Sequence, residues 1–192
     1  MADETPKGAR IAKVLARAGV ASRRDSEKLV EAGRVKVNGK KIFSPALNVQ
    51  PSDKIEFDGE PIEPPDEPRL WLYHKPIGLV TSARDEKGRE TVFDSLPETL
   101  PRVVSVGRLD MSSEGLLLLT NDGGLKRTLE LPSTGWTRRY RVRIKGYPRE
   151  GAFKPLTQGI TVEGEHFQPM TVQMDRQTGA NFWLTIGLKE GK

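Results

Sequence analysis

SVGRLDMSSEGLLLLTNDG, residues 105–123, places a carboxylate, Asp110, two residues after Arg108 and a few residues ahead of four consecutive leucines. The apolar run 116–119 is short and bounded by Gly115 and by Asn121-Asp122-Gly123, the pattern of a fully buried strand that ends in a turn. Asp110 then lies on the loop entering that strand. A packed strand is a rigid mount, and loops held by such scaffolds carry a disproportionate share of catalytic groups. The plainer reading of Asp110 is an ion pair with Arg108 or a turn cap, interactions that are common and of small net value. If the entering segment is extended, Arg108 and Asp110 share one face and Leu109 points the other way, into the core.

Composition narrows the surroundings of this stretch. The chain has 192 residues, enough for one ordinary domain and a small one, and 35% of them are apolar. It contains no cysteine, which excludes disulfides, thiolate zinc sites and cysteine nucleophiles. With His74 and His166 the only histidines, no histidine metal cluster is expected. No stretch approaches the roughly 18 consecutive apolar residues of a membrane span, and MADETPKGAR is no signal peptide. The expectation is a cytoplasmic protein that neither meets a membrane nor, lacking any GxxxxGK[ST] phosphate loop, holds a nucleotide cofactor.

The net charge of +5 is unevenly spread. Residues 7–45 carry eleven Lys or Arg against three acids, whereas residues 46–68 carry seven acids against Lys54 alone. A basic face on a small folded unit is the footprint of a phosphate-backbone binder, because each neutralised phosphate releases counterions. The competing reading is a solvated helix face. Ile11, Val14, Leu15 and Ala18 recur at helical spacing ahead of Gly19, a C-cap candidate. A second helix follows Ser22 and stops at Gly33. A strand over 35–37, the turn signal Asn38-Gly39 and a second arm over 41–43 predict a hairpin, and a further strand over 54–57 closes the unit. A proline-rich linker over 61–68 comes next. Arg23, Arg24, Lys28 and Arg34 cluster near the second helix and are the candidate RNA ligands.

Residues 10–57, especially ARAGVASRRDSEKLVEAGRVKVNGK, resemble an RNA-binding domain of the ribosomal protein S4 type. YHKPIGLVTS at 73–82, VGRLDMSSEGLLLLTNDG at 106–123 and RRYRVRIKG at 138–146 resemble, in order, the ribosomal RNA pseudouridine synthases that carry such a domain at their N-terminus. The resemblance implies a cofactor-independent isomerase that converts one uridine of ribosomal RNA to pseudouridine. Large-subunit RNA is the preferred substrate, free or in a ribosome assembly intermediate, and the protein acts as a monomer. Pseudouridine formation breaks the glycosidic bond, turns the base and rejoins it through carbon, which needs an ionised carboxylate beside a nucleotide flipped from its stack. The essential aspartate of GRLD maps to Asp110. The resemblance also implies that Arg108 fills the space vacated by the nucleotide or steadies the backbone, and that Tyr140 stacks on the target base. A non-catalytic ribosomal-RNA-binding protein retaining the fold is the alternative.

Around Tyr140, residues 139–145 alternate between an apolar set, Tyr140, Val142 and Ile144, and a basic set. As bare residues the first would be core, and the second a charged sheet edge or an RNA contact. Lys75-Pro76, after a strand over 70–74, shapes the turn near the site. His74 is a strand residue, and His166 lies in a polar loop without a role. A helix over 150–157 and strands over 159–162, 167–174 and 181–188 complete an α+β fold with a small helical and hairpin RNA-binding domain and a mixed, largely antiparallel catalytic sheet. The organisation expected is a disordered tail over 1–8, the S4-type domain over 9–60, the linker over 61–68 and a catalytic domain over 69–192. Family members continue with a basic stretch, a helix and further strands. The ending at residues 189–192 therefore reads as a truncated catalytic domain with an open pocket and little activity.

Overall fold

The computed structural model describes residues 8–190, so all but one residue of the expected tail over 1–8, and the last two residues of the chain, lie outside the described residues. The chain divides into two compact units at Lys126 and Arg127.

The first unit opens with β1 (Ala9–Arg10), α1 (Ile11–Arg17) and α2 (Arg23–Glu31). Ser22 starts α2 because its extended backbone lets its hydroxyl accept from the Asp25 amide at 3.1 Å while donating to the Asp25 carboxylate at 2.6 Å. Gly33 follows α2 at φ +68, a left-handed backbone conformation that favours glycine. Then come β2 (Val35–Val37), β3 (Lys40–Ile42), β4 (Asn48–Val49), β5 (Ile55–Phe57) and β6 (Glu60–Pro61). Asn38 and Gly39, at φ 51 and 78, make the two-residue turn that joins β2 to β3. The sheet order is β3-β2-β5-β6, all antiparallel, with β1 and β4 paired separately. Ile11, Leu15, Val30, Val35 and Val49 form the core between helices and sheet. Pro61, placed by sequence at the head of the linker, sits in β6 on the sheet edge, where its missing N–H costs no ladder bond.

The same unit continues with β7 (Leu70–Lys75), β8 (Val104–Val106) and β9 (Gly115–Thr120), an antiparallel sheet in the order β7-β9-β8. The leucine strand departs from expectation. Leu117 and Leu119 are buried, but Leu116 is 65% exposed and Leu118 half-buried, so the run is not a fully buried strand. In a pleated strand successive side chains leave opposite faces, and only one face of β9 meets the core of Leu79, Val92 and Val103. Asp122 ends the strand and caps α3 (Gly123–Glu130), its Oδ1 accepting from the Gly124 and Leu125 amides at 2.7 and 2.8 Å. Its other oxygen pairs with Arg17 of α1 at 3.0 Å, and Arg102 donates to the Ala16 carbonyl at 3.3 Å. The N-terminal helical and hairpin module and the β7-β9-β8 sheet are thereby tied together.

The second unit holds β10 (Arg138–Lys145), α4 (Lys154–Gln158), β11 (Ile160–Val162), β12 (Glu165–Phe167), β13 (Thr171–Thr178) and β14 (Asn181–Leu188). β14 is the centre of a sheet ordered β10-β14-β13, and β11 pairs with β12. Both sheets are antiparallel, so the fold is α+β as expected. Three details differ. The helix is shorter than the 150–157 span. The segment 167–174 splits between β12 and β13, with Pro169 in the break. His166 is no loop residue but lies on β12 opposite Thr161, whose hydroxyl is 3.3 Å from its Nδ1.

Candidate active site

Gly107, at φ +71, takes the chain out of β8, and residues 108–110 run free of any ladder before a turn closed by the Ser113 amide on the Asp110 carbonyl at 3.0 Å. Arg108 and Asp110 are both exposed, while Leu109 between them packs against the core. The alternation of exposure inferred from spacing is present. The ion pair is not: among the described residues neither the Arg108 nor the Asp110 side chain has a hydrogen-bond or ion-pair partner.

What holds this loop comes from the segment 75–81. Lys75, the last residue of β7, is fully buried, and its ammonium donates to the carbonyls of Pro76, Asp110 and Ser113 at 3.0, 3.0 and 2.9 Å. Burial pushes this ammonium below the usual lysine range, and the charge of Asp110 opposes that shift. The Gly78 amide donates to the Met111 carbonyl at 2.8 Å. The buried Thr81 hydroxyl donates to the Leu109 carbonyl at 2.7 Å and accepts from the Leu109 amide at 3.3 Å. Carbonyls of three consecutive residues, 109, 110 and 111, are thus fixed by one neighbouring segment. The outcome is a backbone held firmly and a carboxylate left free.

Sequence reasoning assigned Lys75-Pro76 to shaping the turn but did not see that the lysine side chain does it. A signal was present. Along β7, Trp71 and Tyr73 face the core, and the period of two puts Lys75 on that same inner side.

Tyr140 lies in the second unit, half-buried on β10 opposite Ile186 of β14, on the face with Val142 and Ile144. Arg23, Arg24 and Lys28 lie exposed on α2. Arg23 pairs with Glu27 at 3.7 Å and Lys28 with Asp25 at 3.5 Å, and the Arg24 side chain carries no ion pair among the described residues. Arg34 forks onto Asp58, its Nε at 2.9 Å and its second nitrogen closer still, and lies 4.8 Å over the Phe57 ring. That hydrogen bond holds the Asp58 carboxyl below the usual carboxylate range. Arg24 and Lys28 also line a cleft of about 850 Å³, whose far wall includes Arg84 and Arg102; Arg108 and Asp110 are not part of it.

Comparison with known proteins agrees with these elements. Residues 9–55 match the S4 domain, and residues 69–192 match the family described as RNA pseudouridylate synthase. The chain belongs to that family. It is an RNA pseudouridine synthase, an isomerase, with an S4 domain ahead of its synthase domain. An uncharacterized RNA pseudouridine synthase of Rickettsia conorii is 46% identical over 183 residues, covering 95% of this chain and 79% of that protein. The ribosomal large subunit pseudouridine synthase B of Bacillus subtilis is 42% identical over 154 residues, which are 80% of this chain and 63% of that one. Its Salmonella typhimurium namesake is 39% identical, covering 95% and 65% respectively. In fold, a crystal structure of a pseudouridylate synthase superposes with a TM-score of 0.58 at 24% identity, covering 95% of this chain and 78% of the other. Among the described residues no helix is long and apolar enough to cross a membrane.

Proposed function

We propose that this synthase isomerises one uridine of ribosomal RNA, in the large subunit, with the Asp110 carboxylate as the essential group. The observation that carries the reading is the unpartnered Asp110 carboxylate on a loop whose backbone Lys75, Gly78 and Thr81 hold from behind. A reactive group needs this combination, because effective catalysis depends on positioning within a fraction of an ångström. The C1′–N1 bond of the uridine breaks, the base turns, C5 bonds to C1′, the C5 proton leaves and N1 takes one up. The reaction balances without a cofactor. Arg108, on the same exposed face, contacts the RNA where the nucleotide has left its stack, and Tyr140 stacks on the flipped base. Arg23, Arg24, Lys28 and Arg34 dock the RNA backbone, with Arg24 the most available of them.

Large-subunit RNA is favoured by the names of the Bacillus and Salmonella relatives. The test is pseudouridine mapping on an unmodified transcript of bacterial large-subunit RNA incubated with wild type and with Asp110→Asn. Wild type should form pseudouridine at one position and the variant none, with RNA binding kept. Absence of product with wild type, alongside intact binding, would support a non-catalytic RNA-binding protein instead.

A further inference from the structure

The sheet β10-β14-β13 has a face opposite to that of Tyr140, and it is strongly basic. Arg139, Arg141, Arg143 and Lys145 are exposed there on one strand, and Arg176 lies across the sheet on β13. Alternate residues of a strand are about 7 Å apart, below or near the screening length at physiological salt, so these charges repel one another in the free protein. Against these five cations the one carboxylate on this face among the described residues is Asp175, brought in by the register shift between Met174 and Arg176. Asp175 accepts from Thr185 at 3.0 Å and pairs with Arg141 at 3.5 Å. Trp183 sits at the centre of the patch on β14, directly opposite both Arg143 and Arg176. The guanidinium carbons of Arg141 and Arg143 lie 4.9 and 5.9 Å from its ring centroid.

Charges on an edge strand are a common guard against aggregation, and β10 is such an edge. That explanation covers Arg176 on the opposite edge as well, but not a tryptophan on the central strand with two guanidinium groups beside its ring. Stacking on Trp183 and the Asp175 contact restrain the arginines before any ligand arrives, which lowers the entropy lost on binding. Guanidinium groups so held suit phosphate, which they grip with two parallel hydrogen bonds. We infer that this face is a second RNA-docking surface, on which Arg141 and Arg143, held against Trp183, grip backbone phosphates of the substrate RNA away from the target uridine. The inference rests on the reading of the chain as an enzyme acting on RNA.

Two measurements test it on the full chain, with the unmodified large-subunit transcript as probe. The first is the slope of log affinity against log salt. It should fall by about 1 to 2 in magnitude in R141Q/R143Q and stay near wild type in R141K/R143K, each phosphate contact contributing about 0.7 to 0.9. The second is phenylglyoxal modification read by mass spectrometry, in which bound transcript should protect Arg141 and Arg143 of the wild type. An unchanged slope in a folded R141Q/R143Q, or arginines equally modified with and without RNA, overturns the inference. The footprint decides on wild type alone should the double variant fail to fold. Pseudouridine formation is scored in the same samples: wild-type product with no effect at this face sinks only the docking surface, while absent product with a protected face sinks only the enzymatic reading.

Discussion

A buried ammonium with no carboxylate hydrogen-bonded to it is costly, and Lys75 tolerates burial because three carbonyl oxygens replace its water shell. Removing it would leave the Pro76, Asp110 and Ser113 carbonyls without that donor at once. Lys75→Met should therefore lower stability by about 2–4 kcal/mol, less than three full hydrogen bonds because the desolvation cost also disappears. It should also lower kcat on the order of 100-fold, the scale of a reacting group misplaced by about an ångström. Thermal melting and single-turnover kinetics check both, and a wild-type rate in Lys75→Met would remove the positioning role. The contrast with Asp110 is instructive. Its exposed side chain has no hydrogen-bond or ion-pair partner among the described residues, so Asp110→Asn should melt near the wild-type temperature, within the roughly 0.5 kcal/mol typical of surface changes.

At the scale of elements, β9 separates chemistry that looks uniform in sequence. Leu119→Ala removes a buried side chain between Trp71 and Ser105 and should cost about 2–5 kcal/mol, while Leu116→Ala, 65% exposed, should cost less than about 0.5. Urea denaturation distinguishes them, and equal losses would mean that both faces of the strand are buried. In the RNA-binding module, Arg34 and Asp58 tie the end of α2 to the end of β5. The folded carboxyl is depressed by the Arg34 hydrogen bond, so its stabilising contribution is present above the unfolded value of about 3.9 and disappears as pH falls through the lower folded value. The melting temperatures of wild type and Asp58→Asn should accordingly differ above about pH 5 and converge toward pH 2. A gap that persists at low pH would assign the difference to packing rather than to charge.

Within the first unit, two polar links join module and sheet among the described residues: Arg17 to Asp122, and Arg102 to the Ala16 carbonyl at the end of α1. Burial pushes the Arg102 guanidinium down from its ordinary value and the charge of Asp25 pushes it up. Arg17→Ala with Arg102→Met should let the module unfold in a separate, earlier calorimetric transition. A melting profile identical to wild type would show that other contacts couple the two.

Local signals in the sequence decided much of this protein. Ser22 and Gly33 bracket α2, Asn38-Gly39 sets the hairpin, and the alternation along 139–145 puts Tyr140 and the arginines on opposite faces, all because caps, turns and strand periodicity act within a few residues. The three motifs marked the family, and GRLD marked Asp110 and Arg108. Only tertiary structure decided that these two side chains form no ion pair, that two of the four leucines face outward, and that Lys75, distant in sequence, holds the Asp110 loop. Burial and hydrogen-bond satisfaction belong to neighbours brought together from remote parts of the chain, and a buried lysine is stable only where folding delivers the carbonyls that solvate it.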